Sequence, residues 1–197
     1  MKRCMDVLLS LLGLALLWPL GLAVALAIRL DSPGPALFRQ ERVGLHGRPF
    51  RIHKFRTMRV GGAGPQVTAG GDARITRVGR VLRRYKLDEL PQLIDVLQGR
   101  MSLVGPRPEV PRYMALYPPE ARRAILSVRP GITDPASIAF RNEEALLAAA
   151  PDAERAYIDT IMPLKQRYYL DYVAHHSLGA DLRILLSTAA VLLKGAP

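Results

Sequence analysis

The stretch from Val7 to Ile28, VLLSLLGLALLWPLGLAVALAI, carries no charged side chain. As a helix it would reach roughly 33 Å at 1.5 Å per residue, about one bilayer core. A chain can use such a segment as a signal peptide, as a helix that crosses the bilayer, or as a helix that enters, breaks and returns. Lys2 and Arg3 form a basic start, and Ala25-Leu26-Ala27 resembles a cleavage site, as in a signal peptide. Against that reading, the apolar run is long for such a leader, and Asp6 stands at its entrance. Pro19 removes a backbone donor and clashes with the preceding turn, so the helix should kink or break there. A carbonyl freed in hydrocarbon then needs another partner. Basic residues flank both ends: Lys2 and Arg3 before, Arg29, Arg39 and Arg42 after. Positive charge favours the cytoplasmic side, so this distribution suits a hairpin that returns to its starting face as well as a crossing helix.

The remaining sequence is compatible with one domain of ordinary size plus that apolar element, 197 residues in all. The formal net charge of +11 points to an anionic partner: nucleic acid, a phospholipid surface or a phosphorylated small molecule. A single cysteine, Cys4, excludes an internal disulfide framework. Cys4 reads as an inert thiol or a palmitoylation site. No Cys/His set has the spacing of a zinc centre, and His175-His176 reads as a surface pair.

After the turn-rich DSPGPALF (Asp31–Phe38), the segment ALFRQERVGLHGRPFRIHKF reads as a hairpin of two short strands around His46-Gly47. Its second arm carries Arg51, His53, Lys54 and Arg56. The glycine-rich Val60–Thr76 lacks the phosphate-cradling P-loop pattern and reads as a mobile loop able to close over substrate. Arg77–Lys86 predicts a basic helix with Val78, Val81, Leu82 and Tyr85 on its apolar side. A second helix follows, with Leu90, Leu93, Ile94 and Leu97 as its stripe, Pro91 in its first turn and Gly99 as its stop. Further on, helices interrupted by prolines are expected. The apolar Leu182–Leu193 should pack as core or lie at a membrane interface.

Between these two helices stand Asp88 and Glu89. One reading makes them helix caps: Asp88 at the N-cap and Glu89 in the first turn, both favoured by the helix dipole. The other reading is chemical. A helix N-terminus keeps a carboxylate ionised and competent as a nucleophile. It also attracts phosphate. Attack on phosphate needs cations to screen the charge, and Arg83, Arg84 and Lys86 precede the acids, with Arg107, Arg129 and Arg141 beyond. A divalent ion such as Mg²⁺ would bridge carboxylate and diphosphate oxygens. Together these features describe phosphoryl transfer at a membrane surface.

The chain resembles the bacterial sugar transferases, the monotopic phosphoglycosyl transferases, in their minimal catalytic form. The resemblance rests on HKFRTM (His53–Met58), LDELPQLIDVLQGRMSLVGPRP (Leu87–Pro108) and RPGIT (Arg129–Thr133), in that order behind an apolar run, and covers nearly the whole chain. It implies transfer of a sugar 1-phosphate from a UDP-sugar to undecaprenyl phosphate, releasing UMP and initiating a polysaccharide or glycoprotein glycan. It implies that Asp88 attacks the sugar-linked phosphate, forms a covalent intermediate and contacts Mg²⁺, and that Glu89 supports the site as base or by positioning. Lys54, Arg83, Arg107 and Arg141 fall on the family's basic positions and are expected to bind phosphate groups of the donor or of the polyprenyl acceptor. The implied fold is α/β, mostly helical with a small β-hairpin and amphipathic interfacial helices. Residues 1–30 would form the re-entrant membrane helix broken at Pro19, and residues 31–197 a catalytic domain at the cytoplasmic face of the bacterial inner membrane. Anionic phospholipids are then partners, nucleic acid is not, and homo-oligomers stay open. Departures from the pattern are Trp18 before Pro19, where serine is frequent, and Asp134-Pro135-Ala136-Ser137-Ile138 after RPGIT, where Gly-Trp is frequent. Asp95 replaces a common asparagine and Arg100 a common acid; both are expected to be peripheral.

Other classes make distinct predictions. A membrane-tethered nucleic-acid binder would explain the charge, but the chain shows no recognisable reading module and clusters its arginines around acids that a DNA groove would repel. A non-catalytic lipid-gripping scaffold predicts that Asp88→Asn leaves function intact.

Overall fold

The computed structural model describes residues 1–61 and 68–193. The chain opens with helix α1 (Lys2–Asp31), followed by strands β1 (Leu37–Val43) and β2 (Pro49–Phe55). Helices α2 (Arg77–Arg84) and α3 (Gln92–Leu97) come next, separated by a 3₁₀ turn at Leu87–Glu89. Then follow β3 (Ser102–Val104), α4 (Pro111–Met114), α5 (Pro119–Ile125) and β4 (Gly131–Thr133). Helices α6 (Pro135–Ala139), α7 (Glu143–Ala148), α8 (Ala153–Ala156), α9 (Met162–His175) and α10 (Leu178–Leu193) complete the mostly helical chain.

The apolar run forms one helix that is continuous through Pro19, so the expected break does not appear as an interruption of α1. Its sidedness is unusual. Asp6, Ser10, Val24 and Ile28 are buried, and Gly13 and Gly21 fall on the same 3–4-spaced stripe. A Cβ at Gly13 would sit 3.2 Å from Leu93 Cδ1, and one at Gly21 would sit 3.9 Å from Phe55. The stripe is small and polar over much of its length, while Leu8, Leu12, Leu16, Trp18, Leu22 and Leu26 are exposed. The small residues of the stripe allow close approach to the body, and the large apolar side chains face outward.

Both ends of α1 touch the same body. Asp6 accepts hydrogen bonds from Ser102 Oγ (2.8 Å) and the Leu103 N–H (3.1 Å). Lys2 Nζ pairs with Asp181 (2.6 Å) and donates to the Val104 carbonyl (3.0 Å). At the other end Val24 and Ile28 pack with Phe55 and Leu82. There the buried Arg56 guanidinium donates to the carbonyls of Ser32 (2.8 Å) and Pro33 (2.5 Å), close to the helix C-terminus.

The hairpin forms around His46-Gly47 as expected. β1 and β2 pair antiparallel from Leu37↔Phe55 to Val43↔Pro49, and His46 and Gly47 both take positive φ in the turn. A second, parallel pair joins β3 to β4, Ser102↔Gly131 and Val104↔Thr133. It brings the GRMSLVGP and RPGIT segments together. Gly105 and Gly131 lie backbone against backbone there, and a Cβ on either would overlap the other strand.

Several local expectations change. α3 is short, and it buries Val96 and Asp95 rather than the stripe of Leu90, Leu93, Ile94 and Leu97. Asp95, expected to be peripheral, is fully buried: its carboxylate accepts from the His53 N–H and contacts His53 Nδ1, both at 2.8 Å. Pro163 does not break its helix. A π-turn at Tyr157–Ile161 leads into α9 with Pro163 in the first turn, absorbing the missing donor. Of the glycine-rich loop, residues 62–67 lie outside the described residues; its flanks are tied down by Arg59 N–H to the Arg74 carbonyl (2.9 Å) and Gly70 N–H to the Glu144 carbonyl (2.8 Å). On α10, Ile184 and Leu185 pack on the core while Leu182 and Leu186 face outward.

Candidate active site

The acid pair sits on a reversal. α2 ends at Arg84, and Lys86 takes φ 55° and ψ 22°, a left-handed conformation that turns the chain sharply into the Leu87–Glu89 turn. A non-glycine residue held there costs of order 1–2 kcal/mol, a strain the surrounding packing must sustain. The capping reading fails here. Pro91 occupies the N-cap position of α3, and no side chain caps that helix. Asp88 and Glu89 instead lie within the 3₁₀ turn, 4% and 7% exposed, and face cations.

β2 delivers Lys54 between them. Lys54 Nζ lies 3.1 Å from Asp88 Oδ2 and 3.2 Å from Glu89 Oε1. Arg107, just after β3, grips Glu89 with both terminal nitrogens, Nη1 reaching Oε2 at 3.1 Å and Nη2 reaching Oε1. Burial alone would raise the Glu89 carboxyl, but Arg107, Lys54 and Lys86 outweigh it and hold the group well below the ordinary range. The Glu89 charge in turn raises the Arg107 guanidinium further above its usual value. Glu89 is therefore a fully engaged anion. Asp88 is different: Oδ2 faces Lys54, while Oδ1 is buried with no hydrogen-bond partner among the described residues. An unpaired buried carboxylate oxygen is costly to hold.

Lys54, Arg83, Asp88, Glu89, Arg107 and Arg141 all line one cavity of about 1220 Å³. Arg59, Arg80 and Arg84 add positive charge to its wall, and Leu90, Leu93, Val191 and Leu192 add an apolar side. The cations are not equivalent. Arg83 is committed to Glu144, with Nη2 at 2.5 Å and Nε at 3.1 Å from Oε1, and Nη1 reaches Thr57 Oγ1 at 3.4 Å. Arg141 makes no hydrogen bond or ion pair among the described residues. Pro19, inside α1, does not line this cavity.

No cluster of three acids, histidines or cysteines suited to a metal occurs among the described residues. Mg²⁺ commonly takes only one or two protein carboxylates and completes its shell with water and substrate phosphates. The uncommitted oxygen of Asp88 fits that donor set; Glu89, held by Arg107 and Lys54, does not.

Sequence reasoning missed Thr57, Glu144, Glu143 and Lys165 as parts of this wall. Lys165 is buried and pairs with Glu143 at 2.5 Å. The available signal was the acid doublet after Arg141-Asn142, placed ahead of an otherwise alanine- and leucine-rich segment.

Residues 1–195 match the family described as bacterial sugar transferase. A protein of Caulobacter vibrioides named UDP-glucose:undecaprenyl-phosphate glucose-1-phosphate transferase is 45% identical over 98% of this chain, which spans 69% of that relative. A protein of the same name from Xanthomonas campestris is 41% identical over 98% of the chain, and the chain spans 38% of it. An Aeromonas hydrophila protein named UDP-N-acetylgalactosamine-undecaprenyl-phosphate N-acetylgalactosaminephosphotransferase is 39% identical over 98% of the chain, and the chain spans 44% of it.

Proposed function

The chain belongs to the bacterial sugar transferase family, and on that footing we propose that it moves a sugar 1-phosphate from a UDP-sugar to undecaprenyl phosphate, releasing UMP. The observation that carries the site assignment is the asymmetry of the Asp88 carboxylate: one oxygen held by Lys54, the other buried and unpartnered at a cation-lined cavity.

Asp88 Oδ1 attacks the phosphorus that bears the sugar. A phosphorus–oxygen bond forms, the bond from that phosphorus to the bridging oxygen breaks, and UMP departs with the electron pair. A phosphate oxygen of the polyprenyl acceptor then attacks the same phosphorus. The Asp88–phosphorus bond breaks, giving undecaprenyl diphosphate sugar and restoring the carboxylate. Lys54 holds Asp88 in place and screens the approach of one anion to another, and Arg141 supplies an uncommitted guanidinium for phosphate. Arg107 and Lys54 hold Glu89 as a fully engaged anion. Its work is to fix Arg107 and Lys54. Asp88 is the residue that would hold Mg²⁺, which would supply further charge neutralisation.

The outward leucines of α1 enter the lipid, and the anionic headgroups meet the basic residues beside them. That both ends of α1 touch one body supports a helix that does not cross to the far side. Basic residues at both ends favour the cytoplasmic face of the bacterial membrane. The nucleic-acid reading is not favoured: the cations at the cavity surround buried acids.

The test is UMP release with Mg²⁺, undecaprenyl phosphate and a panel of UDP-sugars including UDP-glucose and UDP-N-acetylgalactosamine. Wild type should release UMP and Asp88→Asn should not. Radiolabelled sugar should remain on wild-type protein when acceptor is withheld. Equal turnover by Asp88→Asn would refute the assignment.

A further inference from the structure

We propose that Arg83 is a positioning residue that acts through Glu144 to hold the segment carrying Arg141. The inference rests on the transferase reading and refines one of its sites.

Arg83 lies on α2, three residues before the left-handed turn at Lys86, and its direction is fixed from two sides. On one side Nη1 meets Thr57 Oγ1 at the end of the segment that carries Lys54. On the other, Nε and Nη2 converge on a single oxygen of Glu144. Two donors on one acceptor fix the direction of the guanidinium.

Glu144 is also a junction. Its carbonyl accepts the Gly70 N–H at 2.8 Å, so the residue joins the end of the glycine-rich segment to α7. A Cβ at Gly70 would lie 3.3 Å from that carbonyl oxygen and 3.3 Å from Ala148 Cβ, so the approach is already tight. The neighbouring Glu143 is pinned by Lys165, which is buried and lies 5.1 Å from the Tyr157 ring centroid. Consecutive acids thus anchor the first turn of α7 to two separate elements, α2 and α9. Arg141, two residues upstream of Glu143, lines the cavity without a partner among the described residues. The arrangement presents one free guanidinium on a segment clamped by two ion pairs. Arg83 and Lys165 serve as clamps, and Arg141 is a guanidinium on that segment left open to the donor.

The experiment is a charge exchange on the full chain in detergent or nanodiscs, with UMP release as the readout. Arg83→Glu and Glu144→Arg alone should each lower kcat/KM for the UDP-sugar by about tenfold, within the range for coupled neighbours. The loss should appear mainly as a raised donor KM, because Arg141 is displaced. The double exchange should recover most of it, to within about threefold of wild type. Hydrogen exchange at the Gly70 amide should quicken in each single variant and slow again in the double. A milder pair, Arg83→Lys and Glu144→Gln, covers the case in which a reversed charge prevents folding; each should raise KM and speed Gly70 exchange. A double exchange no better than the worse single would overturn the proposal. So would a Glu144→Gln variant that binds donor more tightly than wild type, since that would mean a freed Arg83 takes the phosphate. If wild type itself releases no UMP from any UDP-sugar, the transferase reading fails; the Gly70 exchange pattern still tests the clamp.

Discussion

Two regions bury carboxylates on either side of β3, and they treat them oppositely. Beneath α1, Asp6 spends both oxygens on Ser102 Oγ and the Leu103 N–H, and Asp181 spends both on Tyr172 and Lys2. In the cavity, Glu89 is likewise fully engaged, yet Asp88 beside it keeps one oxygen unpaired. Equal burial therefore does not mean equal purpose. On the proposed function, the saturated acids hold the fold together, and the acid that would react is the one that keeps a lone pair in reserve with its remaining charge screened.

The sharpest way to break this contrast is Asp88→Asn. It should cut UMP release by about 10³-fold or more, while the melting temperature moves by less than about 2 °C. Asp6→Ala should do the reverse. It strands the Ser102 hydroxyl and Leu103 amide, costing about 2–3 kcal/mol, with turnover per folded molecule preserved well below the melting temperature. Thermal unfolding and UMP release on the same preparations separate the two outcomes, and a stability loss larger for Asp88→Asn than for Asp6→Ala would erase the distinction.

Glu89 sharpens it through pH. Its folded pKa is depressed, so its contribution is present above the unfolded value of about 4.3 and disappears as pH falls through the folded value. Wild type should therefore lose stability steadily on acidification below about pH 4.3, and Glu89→Gln should lose less over that interval, though starting lower. Asp134 gives the smallest effect. It is fully buried and accepts from the Ser137 N–H and hydroxyl, but burial raises its carboxyl despite those bonds. A raised acid is most favourable below its unfolded pKa and loses that contribution as pH climbs through the folded one. Asp134→Asn should thus melt about 2 °C above wild type at pH 8, with the gain shrinking at pH 5, as differential scanning fluorimetry would record.

Some of this was legible in the residues and some was not. The hairpin announces itself by two short strand-like runs around His46-Gly47, and the acid pair by its basic surroundings. The β3–β4 pair does not, because three-residue strands carry no period and their partners lie far apart in the chain. The ion pairs of Glu143 and Glu144 were hidden for the same reason: the sequence shows charges, but only packing decides which of them meet. Asp95 misled because a side-chain substitution looks minor until its carboxylate is found bridging β2 and α3. The small-residue stripe of α1 was readable at 3–4 spacing, but the leucines around it drew attention to length and hydropathy instead.

The way α1 lies along the body bears on how this protein can be handled. Deleting residues 1–31 to obtain a water-soluble version would strip cover from Phe55, Leu82 and Leu93 and take the Ile28 carbonyl from Arg56. It would also leave Ser102 and Asp181 without the partners that α1 provides. One stripe of this apolar helix thus seals the body while its leucines face outward, so a variant meant to present fewer apolar side chains is better made by replacing those leucines in place than by trimming the segment.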